Sequence, residues 1–581
     1  MTDRAARMAG FLLLLGFFGL SATSNGTTVT FRGELTGSSP GELNLWLGHV
    51  LLLCPATLLI GYGIASSTGR LVQPIATAVR GLGARERQLG LLALTLLAVA
   101  AARIGRALFL LDLPITDDEY AVDFGGRILA SGRLMTHLAV PRESVPDLFL
   151  YFRDGAVGSF DWIGGQAVAA MAEVSRLGPF LWALVAAIPV PAVAVLMGRR
   201  LGAAWGLAAA FLFICSPMAD LLSMTTHAHL ASRALFALAL LALSAADEEG
   251  RIWLWTATGA CLGLAFLCRP LETAFFSSPI ALWALIQTVR RAPAYRHSLA
   301  GLSVGFLPAV AILAWHAYAM TGNPLLPARF ASEGHTDMTS LSLWQRFGDN
   351  LTYNVLMLAI WFLGPVGLVL VAAGALTDRF SRLLGCCVTA DLCLALFHDN
   401  SGLHIVGPIH YSECAVPLTV IATYGLARLV RGARRHGFDP LRLAATLGVA
   451  LAIGLGTLTC VQGAALRRQA TIQRDVYRAI EREVADPGGR PAVVLAPWFF
   501  AIVNAHPDLR GIGTWVHDWR RPMLNLEDET LFLRDVPAVE AALRAQLPGR
   551  RFFRLVPLRE APFLVLVPLD GGAARPLSLG S

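Results

Sequence analysis

The sequence predicts an all-α polytopic membrane protein of about thirteen transmembrane helices, followed by a small α/β domain. Three observations carry this expectation. The chain of 581 residues is 55% hydrophobic and only 15% charged, where globular domains carry roughly a quarter charged residues. Apolar stretches near the length of a membrane span recur along most of the chain. After about position 465 they give way to short β-rich runs set among charged segments.

Taken in order, the expected spans are 8–22, 46–66, 89–111, 179–198, 202–219, 228–246, 252–268, 270–289, 298–320, 350–376, 382–397, 413–430 and 441–463. The first has a basic flank and resembles a signal peptide, but its only small-residue cleavage candidate, near Ser21-Ala22-Thr23, is weak. It is expected to stay as an uncleaved span.

All 47 basic residues are arginines. They fall in alternate loops: Arg70, Arg80, Arg85 and Arg87; Arg199 and Arg200; Arg290, Arg291 and Arg296; Arg379 and Arg382; then Arg428, Arg431, Arg434 and Arg435. The positive-inside rule makes that side cytoplasmic. The net charge of +7 therefore reflects short loops, and no nucleic-acid partner is expected. The opposite loops, 112–178, 321–349 and 398–412, are mixed in charge and face outward, as does the tail. Three units follow: 1–88, with two spans and a cytoplasmic loop; 89–464, a transmembrane module with outer loop 112–178; and 465–581, a soluble extracytoplasmic domain.

Within the outer loop, Tyr120, Phe124, Ile128 and Leu129 have helical spacing, and Phe160 to Leu177 repeats it. Both are expected as helices lying along the membrane face. In the tail, Pro491 to Pro497, Arg551 to Val556 and Phe563 to Val567 read as strands, Val536 to Ala545 and Arg474 to Val484 as helices. The nine cysteines sit in or beside apolar spans and read as small core residues rather than a disulfide framework.

The functional candidates gather on the outer face. Asp117-Asp118-Glu119-Tyr120 follows an apolar span, and carboxylates at a membrane surface are costly unless solvated, paired or metal-bound. Thr225-Thr226-His227-Ala228-His229 precedes a span bearing Arg233. Cys268-Arg269-Pro270-Leu271-Glu272 forms an outer turn, and His398-Asp399-Asn400, His404 and Gly407 to Glu413 form another. Bland alternatives exist for each. The acidic cluster can be a wet loop, Arg269 a snorkelling side chain, and His410-Tyr411 an interfacial anchor. His227 and His229, at i and i+2, do not share a helix face and make a poor metal pair. Chemically, an outer carboxylate can serve as general base, and arginines at membrane depth can grip a lipid phosphate.

The pattern resembles the GT-C glycosyltransferases, especially the family 39-like relatives of protein O-mannosyltransferases and aminoarabinose transferases. The similar segments are Thr116 to Tyr120 with Arg127 to Leu134, Gly263 to Glu272 ending in Arg269-Pro270, Thr321-Gly322-Asn323-Pro324, and Gly407-Pro408-Ile409-His410-Tyr411. Four motifs in the right order cover about residues 89–430. Departures are two extra spans before the motif-bearing loop, where the family usually has one, His410 where the family pattern suggests Arg, and the absence of lysine.

The resemblance implies a membrane glycosyltransferase of the bacterial inner membrane, with its active site on the extracytoplasmic face. It would move a sugar from a polyprenyl-phosphate donor to a glycan, lipid or protein acceptor with inversion. Asp118 would be the base, with Asp117 and Glu119 beside it; Glu119 would position the acceptor or hold a divalent metal, Mg or Mn. Arg269, Arg233, His410 and Tyr411 would bind the donor phosphate, and His227, His229 and Glu272 would line the acceptor side or loop. The rival expectations are a transporter or flippase of a lipid-linked substrate, and an inactive scaffold of the same fold.

Overall fold

The structure is a computed structural model. It describes residues 2–23, 48–65, 81–331, 342–351, 358, 361–397, 403–404, 407–505 and 516–577. The candidates Arg70, Arg80 and His398-Asp399-Asn400, and parts of the expected spans 46–66 and 350–376, lie outside the described residues.

Sixteen of the helices among the described residues form the bundle and its outer-loop layer. They are α1 (Asp3–Thr23), α2 (Leu51–Ala65), α3 (Ala84–Phe109), α4 (Asp117–Ala130), α5 (Ile163–Val174), α6 (Pro179–Leu201), α7 (Ala203–Ile214) and α8 (Pro217–Ser223). They continue as α9 (Ala228–Glu249), α10 (Ile252–Cys268), α11 (Pro270–Val289), α12 (Ser298–Thr321), α13 (Gly364–Gly374), α14 (Arg379–Ala395), α15 (Ala415–Arg435) and α16 (Pro440–Val484). Five helical stretches among the described residues are long and apolar enough to cross a membrane: α3, α6, α9, Pro293–Thr321 and Ile409–Arg435. A bent pair makes a sixth, and three shorter apolar helices accompany them. The expected count of thirteen is not reached on that measure.

One expected span, 202–219, is corrected. It breaks into α7 and α8 with a 61° bend. The cause is Pro217: a proline disfavours helical backbone in the residue before it, and Ser216 is extended (φ −79°, ψ 116°). The same rule shapes the turn at Arg269-Pro270. Arg269 is pushed to φ −147°, ψ 81°, so α10 stops at Cys268 and Pro270 opens α11. The guanidinium is thereby placed at the turn of a helical hairpin.

The basic end of the bundle is tied by its own network. Arg200 and Arg379 pair with Asp247 at 3.0 and 3.1 Å, and the Tyr295 hydroxyl donates to the same carboxylate at 2.6 Å. The acidic turn lies at the other end of α9, beside His227 and His229.

Beyond the bundle, β1 (Leu150–Arg153) and β2 (Ala156–Ser159) form a hairpin in the outer loop, and β3 (Leu403–His404) pairs with β4 (Gly407–Pro408). The tail adds β5 (Ala492–Ala496), β6 (Thr530–Arg534), β7 (Arg551–Pro557), β8 (Leu564–Pro568) and β9 (Arg575–Pro576). Their order is β6-β5-β7-β8-β9, parallel on the β6-β5-β7 side and antiparallel from β7 to β9. The expected boundary at 464–465 falls inside α16, which runs unbroken for 45 residues. At 1.5 Å per residue that is roughly 68 Å, long enough to leave the bundle and reach the sheet.

The tail does not float free of the outer loop. Phe124 and Ile128 of α4, with Val140, Val145 and Val157, share one apolar core with Val493, Leu495, Leu531 and Phe552 of the sheet. Tyr120 enters a second core with Tyr477, Phe499, Val516 and Trp519.

Candidate active site

Thr116 caps α4 by accepting the Glu119 N–H at 3.3 Å, which satisfies one of the donors that every helix start leaves open. Three carboxylates in the first turn also suit the positive end of the helix dipole. The cap sets the three side chains on different bearings, and each meets a different environment.

Glu119 points into the bundle and is fully buried. Its Oε1 accepts from Arg106 Nη1 at 3.0 Å, from the Thr226 N–H at 2.8 Å and from the Thr226 hydroxyl at 3.0 Å. Its Oε2 accepts the Ile115 N–H at 2.8 Å. Burial pushes its carboxyl upward, but Arg106, His227 and these N–H donors outweigh it and hold the pKa below the ordinary value. Both oxygens are engaged, so neither faces a metal or an acceptor.

Asp117 turns the other way, into the tail. Its Oδ2 accepts the His517 N–H and ring Nδ1, each at 2.9 Å, and its Oδ1 accepts the Asp518 N–H at 3.2 Å. Burial raises its pKa against the pull of His517.

Asp118 is half-buried and has no hydrogen-bond or ion-pair partner among the described residues. Its charge acts on a carboxylate that the sequence pattern did not single out, Asp161, between β2 and α5. Asp161 is buried; its Oδ1 accepts from Arg329 at 3.3 Å, while its Oδ2 has no partner among the described residues. Burial first, and Asp118 second, push Asp161 up to about 7; Arg329 and Arg269 oppose them. Asp118, Asp161, Arg269 and Arg329 thus share one electrostatic site. Arg329 comes from the short helix Ala328–Ala331 that follows the Thr321-Gly322-Asn323-Pro324 turn, and it lies 5.2 Å over the Phe160 ring.

Arg269 is buried, donating through Nη1 to His229 Nε2 at 3.2 Å and through Nη2 to Glu272. Since arginine cannot accept, His229 Nε2 must carry the lone pair, and its Nδ1 faces Glu413 Oε1 at 4.0 Å. The His227 ring stacks on His229 at 5.7 Å, and His410 lies 6.2 Å from His229. His227 Nε2 meets the Thr116 hydroxyl at 3.0 Å, and burial keeps the His227 pKa low. Tyr411 is fully buried in the turn of Ile409–Cys414. Arg233 lies one turn further into α9, fully buried, donating to the Met218 carbonyl at 3.3 Å over the Phe213 ring. The structure therefore joins Arg269, Glu272, His229, His227 and His410 in one cluster, with Arg233 deeper in the bundle.

No cluster of three or more His, Cys, Asp or Glu side chains able to hold a metal occurs among the described residues. With both Glu119 oxygens engaged, Asp118 and Asp161 are the carboxylates left open at this site among the described residues, and two carboxylates alone do not fit a protein-held Mg or Mn.

Arg106 and Asp161 were not identified from the sequence. Arg106 had a usable signal, since an arginine inside an apolar span needs a buried partner.

Residues 162–318 match the family model described as dolichyl-phosphate-mannose-protein mannosyltransferase. No curated protein matches the chain. Among solved structures, ArnT from Cupriavidus metallidurans in the apo state is 13% identical at a TM-score of 0.49, covering 80% of this chain and 92% of that one. The same enzyme bound to undecaprenyl phosphate is 13% identical at 0.48, covering 81% and 93%. The Archaeoglobus fulgidus oligosaccharyltransferase tethered with an acceptor peptide is 11% identical at 0.48, covering 82% and 69%. The family-model match spans the arginine-proline hairpin at Arg269 and the helices around it, and leaves the acidic turn and the tail outside its bounds.

Proposed function

We propose that the chain transfers a sugar from a polyprenyl-phosphate donor to an extracytoplasmic acceptor, with inversion at the anomeric carbon. The observation that carries this reading is that Asp118, alone of the three adjacent carboxylates, has no hydrogen-bond or ion-pair partner among the described residues, and that its charge and that of Arg269 both act on Asp161. A general base must be ionised, accessible and close to the proton it takes. Glu119 and Asp117 are each consumed by other contacts.

In this mechanism Asp118 takes the proton of the acceptor hydroxyl or amine as its oxygen or nitrogen bonds to the anomeric carbon. The bond from that carbon to the phosphate oxygen breaks on the opposite face, and polyprenyl phosphate leaves. Arg269 meets the charge that develops on the leaving phosphate; its Nε, buried and without a partner among the described residues, is a donor available for it. Glu119 fixes the turn rather than the acceptor. His229 and Glu272 orient the Arg269 fork, and Arg233 sits behind it as a buried positive charge. His410, 6.2 Å from His229, and the adjacent Tyr411 would bound the site on the side of the Ile409–Cys414 turn. The undecaprenyl phosphate named with ArnT and the dolichol-phosphate named with AglB of Archaeoglobus fulgidus suggest the class of lipid to try first. The site would face outward, as the one-sided arginines imply.

The test uses the full-length protein in lipid nanodiscs with short-chain polyprenyl-phosphate sugars labelled in the sugar. Label should pass to an extracytoplasmic glycan, lipid or peptide acceptor, and polyprenyl phosphate should be released in equal amount. Movement of the intact labelled lipid between the leaflets of vesicles, without cleavage, would support the flippase reading instead.

A further inference from the structure

Asp118 has no partner among the described residues, but its neighbours do. On one side, Asp117 reaches a segment 400 positions away and accepts three donors from it: the His517 N–H, the His517 ring and the Asp518 N–H. On the other, the Tyr120 hydroxyl accepts from Gln473 of α16 at 2.9 Å, and its ring packs with Tyr477, Val516 and Trp519. Glu119 is held from below by Arg106 and Thr226.

The segment that grips Asp117 is itself rigidly built. Asp518 is fully buried; its Oδ1 accepts the Trp519 N–H at 2.9 Å, and its Oδ2 lies 3.3 Å from both Arg521 and Arg534 and accepts the Leu148 N–H at 3.2 Å. Trp519 is fully buried, stacks on Phe532 of β6 at 4.9 Å, and donates to the Pro497 carbonyl at 2.6 Å. The sheet thus supplies a fixed anchor, and Asp117 is where that anchor meets the acidic turn.

We infer that the C-terminal domain is a positioning element of the active site: His517 and Asp518, acting through Asp117, fix the turn so that the Asp118 carboxylate faces Asp161 and Arg269. This rests on the transferase reading above. His517 and Asp518 are positioning residues and need touch no substrate. The physical case is that a base must be held to within a fraction of an ångström, and a misplacement of about 1 Å can cost on the order of 10²-fold in rate. A turn with one unheld carboxylate between two clamped neighbours meets that need. The bundle alone supplies only the Glu119 half of the clamp.

The experiment compares three variants of the full-length protein in nanodiscs. His517→Leu removes the ring donor to Asp117, and His517→Asn returns a donor near the position of Nδ1. Asp147→Ala cuts another contact between the outer loop and the sheet, the Arg534–Asp147 pair at 2.6 Å, without touching the acidic turn. His517→Leu should lower kcat about 10- to 100-fold with the donor KM unchanged. His517→Asn should recover most of the loss, and Asp147→Ala should keep wild-type kcat. In parallel, hydrogen exchange at the Ile115 and Glu119 amides should quicken in His517→Leu and not in Asp147→Ala. Wild-type kcat or unchanged exchange in His517→Leu would overturn the inference. So would a loss of kcat that tracks a lowered melting temperature and is not recovered by Asn. A turn that loosens in His517→Leu, in a protein whose wild type cleaves no polyprenyl-phosphate sugar, would overturn the transferase reading and leave the clamp itself standing.

Discussion

Arg106 and Glu119 form an ion pair at 3.0 Å with side chains 5% and 0% exposed, joining a membrane span to the acidic turn that follows it. A buried pair is costly to break, because the partner left behind is a buried charge without compensation. Glu119→Gln or Arg106→Met alone should therefore destabilise the protein by about 3–5 kcal/mol, read as a lower melting temperature in detergent. The double change Arg106→Met with Glu119→Leu should recover much of that stability. A stable, well-expressed Glu119→Gln that loses only activity would show that Glu119 acts in the chemistry and not in the fold.

Asp161 should make both stability and rate depend on pH. Its pKa is raised from an ordinary 3.8 to about 7 by burial and by Asp118. Between those values the folded state holds a proton that the unfolded state has released. Its stabilising contribution is therefore full below about pH 4 and is lost as pH rises through about 7. Asp161→Asn should flatten the melting temperature between pH 4 and 7 relative to wild type. An unchanged pH slope in Asp161→Asn would mean that Asp161 titrates like an ordinary surface carboxylate.

Particular elements show what the sequence made legible. The helices Asp117–Ala130 and Ile163–Val174 and the strands Ala492–Ala496, Arg551–Pro557 and Leu564–Pro568 follow from apolar periodicity, which survives in a single sequence. The hairpin Leu150–Ser159 was missed although Asp154-Gly155 is a turn signal, because its strands are only four residues each. Strand β6 escaped because polar Thr530 and Arg534 bound a run of three apolar residues. The end of α16 was misplaced for a different reason. Hydropathy falls near 464, but nothing between Ala464 and Val484 breaks a helix, so it continues into water. The site was legible as a cluster of residue types and not as a division of labour. Which of three adjacent carboxylates is paired depends on Arg106 and His517, and only the fold brings these to the turn.

Arg269 carries the donor prediction. Arg269→Ala should raise the donor KM roughly 10- to 150-fold, the equivalent of a charged hydrogen bond of about 1.5–3 kcal/mol. Arg269→Lys should recover only part, since an ammonium has no fork. Binding of a short-chain polyprenyl phosphate, followed by calorimetry, separates this from a defect in the chemical step. Equal affinity in wild type and Arg269→Ala would remove Arg269 from the phosphate site.

Orientation follows from the arginine-bearing loops and is tested by reporter fusions. Fusions after Asp154, at the tip of the outer hairpin, and near Gly549, at a turn of the tail, should report the extracytoplasmic side. A fusion after Arg435 should report the cytoplasm. A cytoplasmic signal at Asp154 would turn the site to the wrong face for an extracytoplasmic acceptor.

Asp118→Asn is the sharpest test of the mechanism. The substitution keeps size and shape, and Asp118 makes no hydrogen bond or ion pair among the described residues. Folding and melting temperature should therefore stay close to wild type, in contrast to Glu119→Gln. Removing a general base typically costs about 10²–10⁴-fold in rate, so sugar transfer should fall by that factor while the donor KM changes little. Because the negative charge of Asp118 raises the Asp161 pKa, the same variant should move the pH dependence attributed to Asp161 downward. Asp117→Asn should instead weaken the contact with His517 and Asp518, giving a smaller loss of kcat accompanied by faster amide exchange in the turn. If Asp117→Asn abolishes transfer and Asp118→Asn does not, Asp117 is the base and the assignment shifts by one residue. If both variants transfer sugar at the wild-type rate, neither carboxylate is the base and the mechanism proposed for this site is wrong.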